Sequence, residues 1–278
     1  MTQPKPRHER SEAEAAAFAL PRDRLPWAIR ASNQFGRLLL GSSTRISVSG
    51  LEHVPKHGTL ILASNHISNA DPALIANWLT SSLGRPVHWM AKAEALEWPI
   101  AGWFMRMNGA FGIRRGAADT EAFRLAKSVL DDGRVLGTFP EGTRSPTGAL
   151  QVAKEGVTLL ALRSGAPILP IGVIDTDLFW PRDRKLWRFG GRIRMQVGEP
   201  FQLVRGVGPN GRKEPLEDVT TRLMLHIAAL LPPRHQGVYG PLLAAGGVPG
   251  DTRGDAPGDA PTRRPTGGPT GDSTGSVP

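Results

Sequence analysis

Strand-like and helix-like patterns alternate from Thr44 to Leu231, and that alternation predicts an α/β fold, a mostly parallel sheet covered by helices. Two observations frame it. Upstream, PWAIRASNQFGRLLL (residues 26–40) has the spacing of an amphipathic helix. Downstream, from about Gly240, Gly, Pro, Asp, Thr and Ser dominate and GDAPGDAP repeats itself. Such a segment cannot bury enough apolar surface to offset its ordering entropy. The chain is therefore expected to divide into an N-terminal arm and amphipathic helix (1–42), an α/β domain (43–239) and a disordered Pro/Gly-rich tail (240–278) with no part in the chemistry.

Each element rests on its own pattern. Residues 1–24 read as a loose polar arm with a short helix in the alanine-rich part. In 26–40, Trp27, Ala31, Gln34, Phe35 and Leu38 share one face, with Arg30 and Arg37 elsewhere. Thr44–Val48 alternates like a strand, and Leu60–Ser64 is a short apolar strand. Asp71–Leu83 reads as a helix, with Asp71 as its N-cap and Pro72 at its first position. Then follow strands Val87–Ala91 and Ala110–Ile113, a helix Asp119–Leu130 with Phe123, Ala126 and Leu130 on one face, and strand Val135–Phe139. Helix Lys154–Ser164, strands Ile168–Ile174 and Arg192–Val197, and helix Leu216–Leu231 complete the series.

The composition narrows the function classes. With 278 residues, 40% of them hydrophobic, the chain can build one sizeable core. It has no cysteine, which excludes disulfides, thiolate metal sites and a Cys nucleophile. No run approaches the ~18 apolar residues of a spanning helix, and acidic residues interrupt the first twenty positions where a signal peptide would lie. The formal net charge of +9 suits a polyanionic partner, nucleic acid or an anionic membrane. The stretch Phe179–Met195 concentrates it: Arg182, Arg184, Lys185, Arg188, Arg192 and Arg194 stand against Asp183 alone, among Phe179, Trp180, Trp187 and Phe189. Cations mixed with large aromatics read as a surface that meets lipid headgroups. An ordinary basic loop with partly buried aromatics carries the same residues. No helix-turn-helix, zinc or RNA-binding signature is present, so no nucleic-acid partner is expected.

Four stretches carry chemistry. In SNHISNADP (Ser64–Pro72) a strand ends, a polar turn follows and a helix begins. A turn of this length can fold back so that Asp71 meets one nitrogen of His66, fixing the tautomer and leaving the other nitrogen to accept a proton. A substrate hydroxyl can then take the place that a serine holds in a Ser-His-Asp triad. Asp-Pro at a helix start is also an everyday cap. In TFPEGTRS (Thr138–Ser145) an apolar strand ends in a loop, where open α/β sheets place their active sites. Arg144 offers a planar donor fork suited to phosphate. Gly142 lets backbone amides approach an anion. Glu141 can orient the arginine or hold a substrate hydroxyl, or the whole can be a surface turn with a solvated ion pair. GAFGIRR (Gly109–Arg115) leads a strand into a basic end, and APILPIGV (Ala166–Val173) is an apolar strand that either packs the core or lines an acyl pocket.

In this order and at these separations the four stretches resemble the glycerolipid acyltransferase family, and within it the 1-acyl-sn-glycerol-3-phosphate acyltransferases. Asn65-His66 to Asp71 is similar to the family's His-x-x-x-x-Asp motif, and Phe139 to Ser145 matches its Phe-Pro-Glu-Gly-Thr-Arg-Ser motif without a change. The likeness runs from about Val54 to Pro200. Gly109–Arg115 is similar to the second motif but holds Gly112 and Arg114 where a bulky apolar residue and an acid are common.

The resemblance implies transfer of a fatty acyl group from acyl-CoA or an acyl-carrier protein to the sn-2 hydroxyl of 1-acyl-sn-glycerol 3-phosphate, giving phosphatidic acid. His66 would be the base and Asp71 its orienting acid. Arg115 and Arg144 would hold the acceptor phosphate, with Glu141, Gly142 and Thr143 in the same substrate-binding loop. No metal or redox cofactor is implied. The implied setting is the cytoplasmic face of an anionic membrane, with residues 26–41 as a short membrane-lying helix. Glycerol 3-phosphate, a lyso-aminolipid or a glycolipid remain open as acceptors. So does a non-catalytic lipid binder on the same fold, although a binder has no need of a base beside an ordering acid.

Overall fold

The structure, a computed structural model, describes residues 18–113, 118–184, 186–207 and 210–246. The alanine-rich arm, Arg114 and Arg115 of the second motif, Lys185, and 247–278 of the expected tail lie outside the described residues.

Three strands have every residue buried: β2 (Leu60–Ser64), β5 (Val135–Thr138) and β6 (Ile168–Ile174). That is why they read as apolar runs rather than alternating ones, since central parallel strands are covered on both faces. With β1 (Arg45–Ser49), β3 (Val87–Lys92), β4 (Ala110–Ile113) and β7 (Arg192–Val197) they form one sheet of order β1-β7-β6-β2-β5-β3-β4 among the described residues. All pairings are parallel except β6 with β7, so β7 and β1 run against the other five.

The pleat sorts side chains to two layers. Ile61, Leu136 and Ile168 share a cluster with Leu125, Val129, Leu160, Leu223 and Ile227. Those five come from helices Ala118–Asp131, Gly156–Ser164 and Leu216–Ala228. On the other face Leu60, Leu62, Leu169 and Ile171 pack with Leu74, Ile75 and Leu79 of helix Asp71–Leu83. These become α4, α5, α6 and α2 respectively, with α1 at Trp27–Ser43 and α3 at Pro99–Met107.

Helix α1 packs outside α2. Gly36 permits the close crossing, since a methyl group there would sit 2.4 Å from Asn77 Nδ2. Arg37 Nε donates to Asn77 O at 2.8 Å, and its guanidinium lies over the Trp78 ring. The buried face of α1 is Ile29, Asn33, Gly36 and Ser43. The face grouped from the sequence points outward: Trp27 is 81% exposed and Leu38 72%.

The structure corrects several expectations. Helix α3 has no counterpart in the sequence reading; it is short, starts on Pro99 and carries Gly102 against the Leu96 carbonyl. Helix α6 ends at Ala228 rather than Leu231. Leu230 and Leu231 instead donate to Ile227 and Ala228, a tightened last turn before Pro232-Pro233. Residues 240–244 form a helical turn inside the segment expected to be disordered, because Leu243 packs against the core beside buried Tyr239.

Candidate active site

The parallel block places the carboxyl ends of β5, β2 and β6 side by side, and the loops that leave them build one site. The turn after β2 is fastened first. Asn65, wholly buried, exchanges two hydrogen bonds with the Val173 backbone, Nδ2 donating to its carbonyl at 2.9 Å and Oδ1 accepting from its amide at 2.8 Å. A side-chain amide thus imitates one rung of a ladder and fixes where the turn leaves the sheet.

His66 follows. Its Nδ1 lies 2.9 Å from Asp71 Oδ2. A carboxylate accepts, so the proton sits on Nδ1 and Nε2 carries the lone pair. The His66 side chain is 17% exposed and that of Asp71 wholly buried. Asp71 Oδ2 also accepts the amides of Ile67 and Ser68, both at 2.7 Å, and Oδ1 accepts Thr176 Oγ1 at 2.6 Å. The expectation of Asp71 as an N-cap is corrected here. Ala70 holds the cap position, and the Asp71 carboxylate turns back onto the preceding turn. Four donors hold the buried carboxylate in one orientation, and that orientation sets that of the imidazole.

The loop after β5 holds the same turn from the other side. The His66 amide donates to Glu141 Oε1 at 3.0 Å, and the His66 carbonyl accepts from the Ser145 amide at 2.7 Å. Glu141 Oε2 accepts from the Gln151 amide at 3.0 Å. Glu141 is only 3% exposed, and both of its carboxylate oxygens are engaged in bracing the turn that carries His66. Burial pushes its carboxyl above the usual range, and the hydrogen bonds from His66 and Gln151 oppose that shift. Phe139 stacks on the His66 ring with centroids 4.0 Å apart, and Trp89 stacks on Phe139 in turn. Trp89 lies over Gly137, where a methyl group would come 2.5 Å from its ring.

The Gly142 amide closes its turn onto Phe139 O at 2.9 Å, so it is not free for an anion. With φ +69°, Gly142 supplies the left-handed turn that a side chain would strain. The Lys154 side chain lies over it: a methyl group at Gly142 would meet Lys154 Cδ at 3.1 Å. Thr143 is exposed at the crest. Arg144 Nη1 is buried with no hydrogen-bond partner among the described residues. Burial and the neighbouring Arg182 push the Arg144 guanidinium down, and Asp71 pulls the other way. Leaving such a donor bare costs about 1–3 kcal/mol, which a bound anion would recover. Among the described residues no group of three or more His, Asp or Glu is placed to hold a metal ion.

Sequence reasoning missed Thr176 and Arg182 as site residues. Thr176 sits two residues beyond β6, reached through Asp175 at φ +67°. Asp175 is held there by Arg234 and by His235, whose Nε2 accepts the Asp175 amide at 3.3 Å. The signal available was its place just past the carboxyl end of an apolar strand.

The basic-aromatic stretch divides in the structure. Phe179 is buried, and Trp180 and Trp187 are half-buried with ring centroids 5.6 Å apart. Leu186 and Phe189 stand exposed with Arg182, Arg184, Arg188 and Arg192.

The acyltransferase family model matches residues 45–174. A 1-acyl-sn-glycerol-3-phosphate acyltransferase of Borreliella burgdorferi is 31% identical over 49% of this chain and 54% of its own. One from Pseudomonas aeruginosa is 30% identical over 61% and 64%. The chain thus spans between half and two thirds of the length of these relatives. A lyso-ornithine lipid O-acyltransferase of Pseudomonas aeruginosa is 32% identical over 67% of this chain and 78% of its own. The crystal structure of a 1-acyl-sn-glycerophosphate acyltransferase from Thermotoga maritima shares the fold, with a TM-score of 0.60 at 24% identity over 73% of this chain and 78% of that one. With the matched segment running from β1 to the end of β6, and the ornithine-lipid enzyme aligned over more than three quarters of its length, the chain belongs to the acyltransferase family.

Proposed function

We propose that this protein transfers a fatty acyl group from acyl-CoA or an acyl-carrier protein to the sn-2 hydroxyl of 1-acyl-sn-glycerol 3-phosphate, with His66 as general base. The observation that carries this is the buried, four-donor Asp71 holding Nδ1 of His66, which leaves Nε2 as the acceptor. Nε2 takes the hydroxyl proton as that oxygen attacks the thioester carbonyl. A C–O bond forms, the C–S bond breaks, and the imidazolium returns its proton to the departing sulfur. Asp71 balances the positive charge of His66 in between. Arg144, and Arg115 of the second motif, are the phosphate donors in this reading.

The acceptor is an amphiphile, and among the described residues no helix is long and apolar enough to cross a membrane. Access from a bilayer surface is supported by the outward face of α1 and by exposed Phe189 and Leu186 among arginines.

A second acceptor has its own support, since one relative, matched over 78% of its length, is a lyso-ornithine lipid O-acyltransferase. The deciding experiment gives the purified protein lysophosphatidic acid, lyso-ornithine lipid and glycerol 3-phosphate, each with acyl-CoA and acyl-carrier protein, and measures ester formed. Ester on lysophosphatidic acid that disappears with His66→Ala sustains the proposal. Ester on lyso-ornithine lipid alone replaces the acceptor, and no ester with any pair sinks the enzymatic reading.

A further inference from the structure

We infer that Arg182 and Arg144 together form a two-guanidinium site for a phosphate group, brought either by the acceptor headgroup or by the carrier of the thioester donor. The inference rests on the acyl-transfer reading of the site and adds to it a residue from a different loop. The chain after β6 comes back over the catalytic turn at two points. Ser68 Oγ donates to Trp180 O at 2.9 Å, and Arg182 Nη1 donates to Arg144 O at 3.1 Å. The root of this loop is packed, since Phe179 is buried and its ring and that of Trp180 both contact Trp187. Arg182 is therefore held at the site by its own loop and does not depend on a membrane to bring it there.

The charges around the turn are unbalanced. Neither Arg144 nor Arg182 makes an ion pair with a carboxylate among the described residues. Among the same residues Arg144 Nη1 is a buried donor with no acceptor. The methylenes of Lys154 cross the same turn at Gly142, which brings a third cation near. Two like charges this close raise each other's cost, and the repulsion on Arg144 from Arg182 is a part of what lowers its proton affinity. A phosphate monoester relieves both defects. It has two negative charges and three oxygens, and guanidinium forks match that geometry. The same cluster repels an ammonium, so a zwitterionic amino-acid headgroup fits it less well than a phosphate.

The test begins with Arg182→Gln, whose amide can still donate to the Arg144 carbonyl but carries no charge. Binding of glycerol 3-phosphate, read as the rise in thermal midpoint, needs no turnover. The wild-type protein should gain a saturable rise, and the variant should need about tenfold more ligand or above for it. Absence of any difference overturns the site. In kinetics with short-chain soluble lysophosphatidic acid and acyl-CoA, a KM increase of that size for the acceptor alone assigns the phosphate to the headgroup. Preference over a phosphate-free monoacylglycerol should then fall in step. An increase for acyl-CoA alone assigns it to the donor's carrier, and either result sustains the site.

Arg184→Ala, two residues along the loop, measures general surface charge, and a loss equal to that of Arg182→Gln overturns the inference. Arg182→Lys guards against a folding defect, since it keeps the charge and should fall between wild type and Gln in affinity. Should the wild type bind glycerol 3-phosphate through Arg182 yet transfer no acyl group, the proposed function has failed and the phosphate site has not.

Discussion

The turn from Ser64 to Pro72 and the helix α1 depart from the inside-outside rule in opposite directions. The turn buries polar groups: Asn65, Ser68 and Asp71 are at most 1% exposed. Every one of them is satisfied, by Val173, Trp180, Thr176 and the turn's own amides. The helix exposes apolar groups, with Trp27, Phe35 and Leu38 outward, and buries Asn33 with both amide atoms unpartnered among the described residues. Burying polar groups is tolerable when each finds its hydrogen bond, and the result is rigidity around His66. Exposing a row of apolar side chains over an inner face that includes a bare amide makes sense where a second apolar phase meets that row. In the proposed reading the turn fixes atoms and the helix meets a lipid phase, so changes in the two should appear in different measurements.

The largest break is His66→Ala. It should lower kcat by about 10²- to 10⁴-fold while thermal midpoint and vesicle binding stay near wild type. Residual turnover within a few-fold would falsify the assignment of the base.

Next comes the outer face of α1. Replacing Trp27, Phe35 and Leu38 together by Ser should weaken binding to anionic vesicles about 100-fold, at roughly 1 kcal/mol for each partly inserted side chain. Activity on short-chain soluble acceptor should change little. Wild-type partition should fall with added salt and leave a remainder that only detergent frees. Unchanged vesicle binding would place the helix outside the membrane contact and undo the comparison.

Thr176→Val sharpens the turn's side. It leaves Asp71 Oδ1 buried without a donor, which costs about 1–3 kcal/mol. We expect a roughly tenfold lower kcat with KM little moved. Thr176→Ser, which keeps the hydroxyl, should restore kcat. A stability loss with an unmoved kcat would leave Thr176 a packing residue.

The smallest effect concerns Glu141. Its carboxyl titrates higher in the folded protein than in the unfolded chain, through burial. Between those two values the folded state binds more protons, so its contribution to stability falls as pH rises and is lowest above both. Measured by urea midpoint, wild type should therefore lose ground to Glu141→Gln as the pH rises from the acid side to neutral. A trend in wild type's favour would mean that the donors from His66 and Gln151 outweigh the desolvation.

The sequence by itself determined what local pattern can encode. Apolar runs gave β2, β5 and β6, whose side chains are buried on both faces. A separation of five positions between His66 and Asp71 sufficed for their hydrogen bond, because a turn that short can close on itself. The same periodicity grouped Trp27, Phe35 and Leu38 on one face, but it could not say whether that face met the core. Only the packing of Gly36 on Asn77 decided that it points outward. Strand order decided the rest. β5 and β6 flank β2, and this brings Glu141 to the His66 amide, Thr176 to Asp71 and Arg182 to Arg144. The reversed direction of β7 was invisible for the same reason. Partners 38 to 105 residues apart in the chain meet only after the whole sheet has assembled. Such a meeting depends on the summed burial of both layers, and no short stretch of sequence carries it.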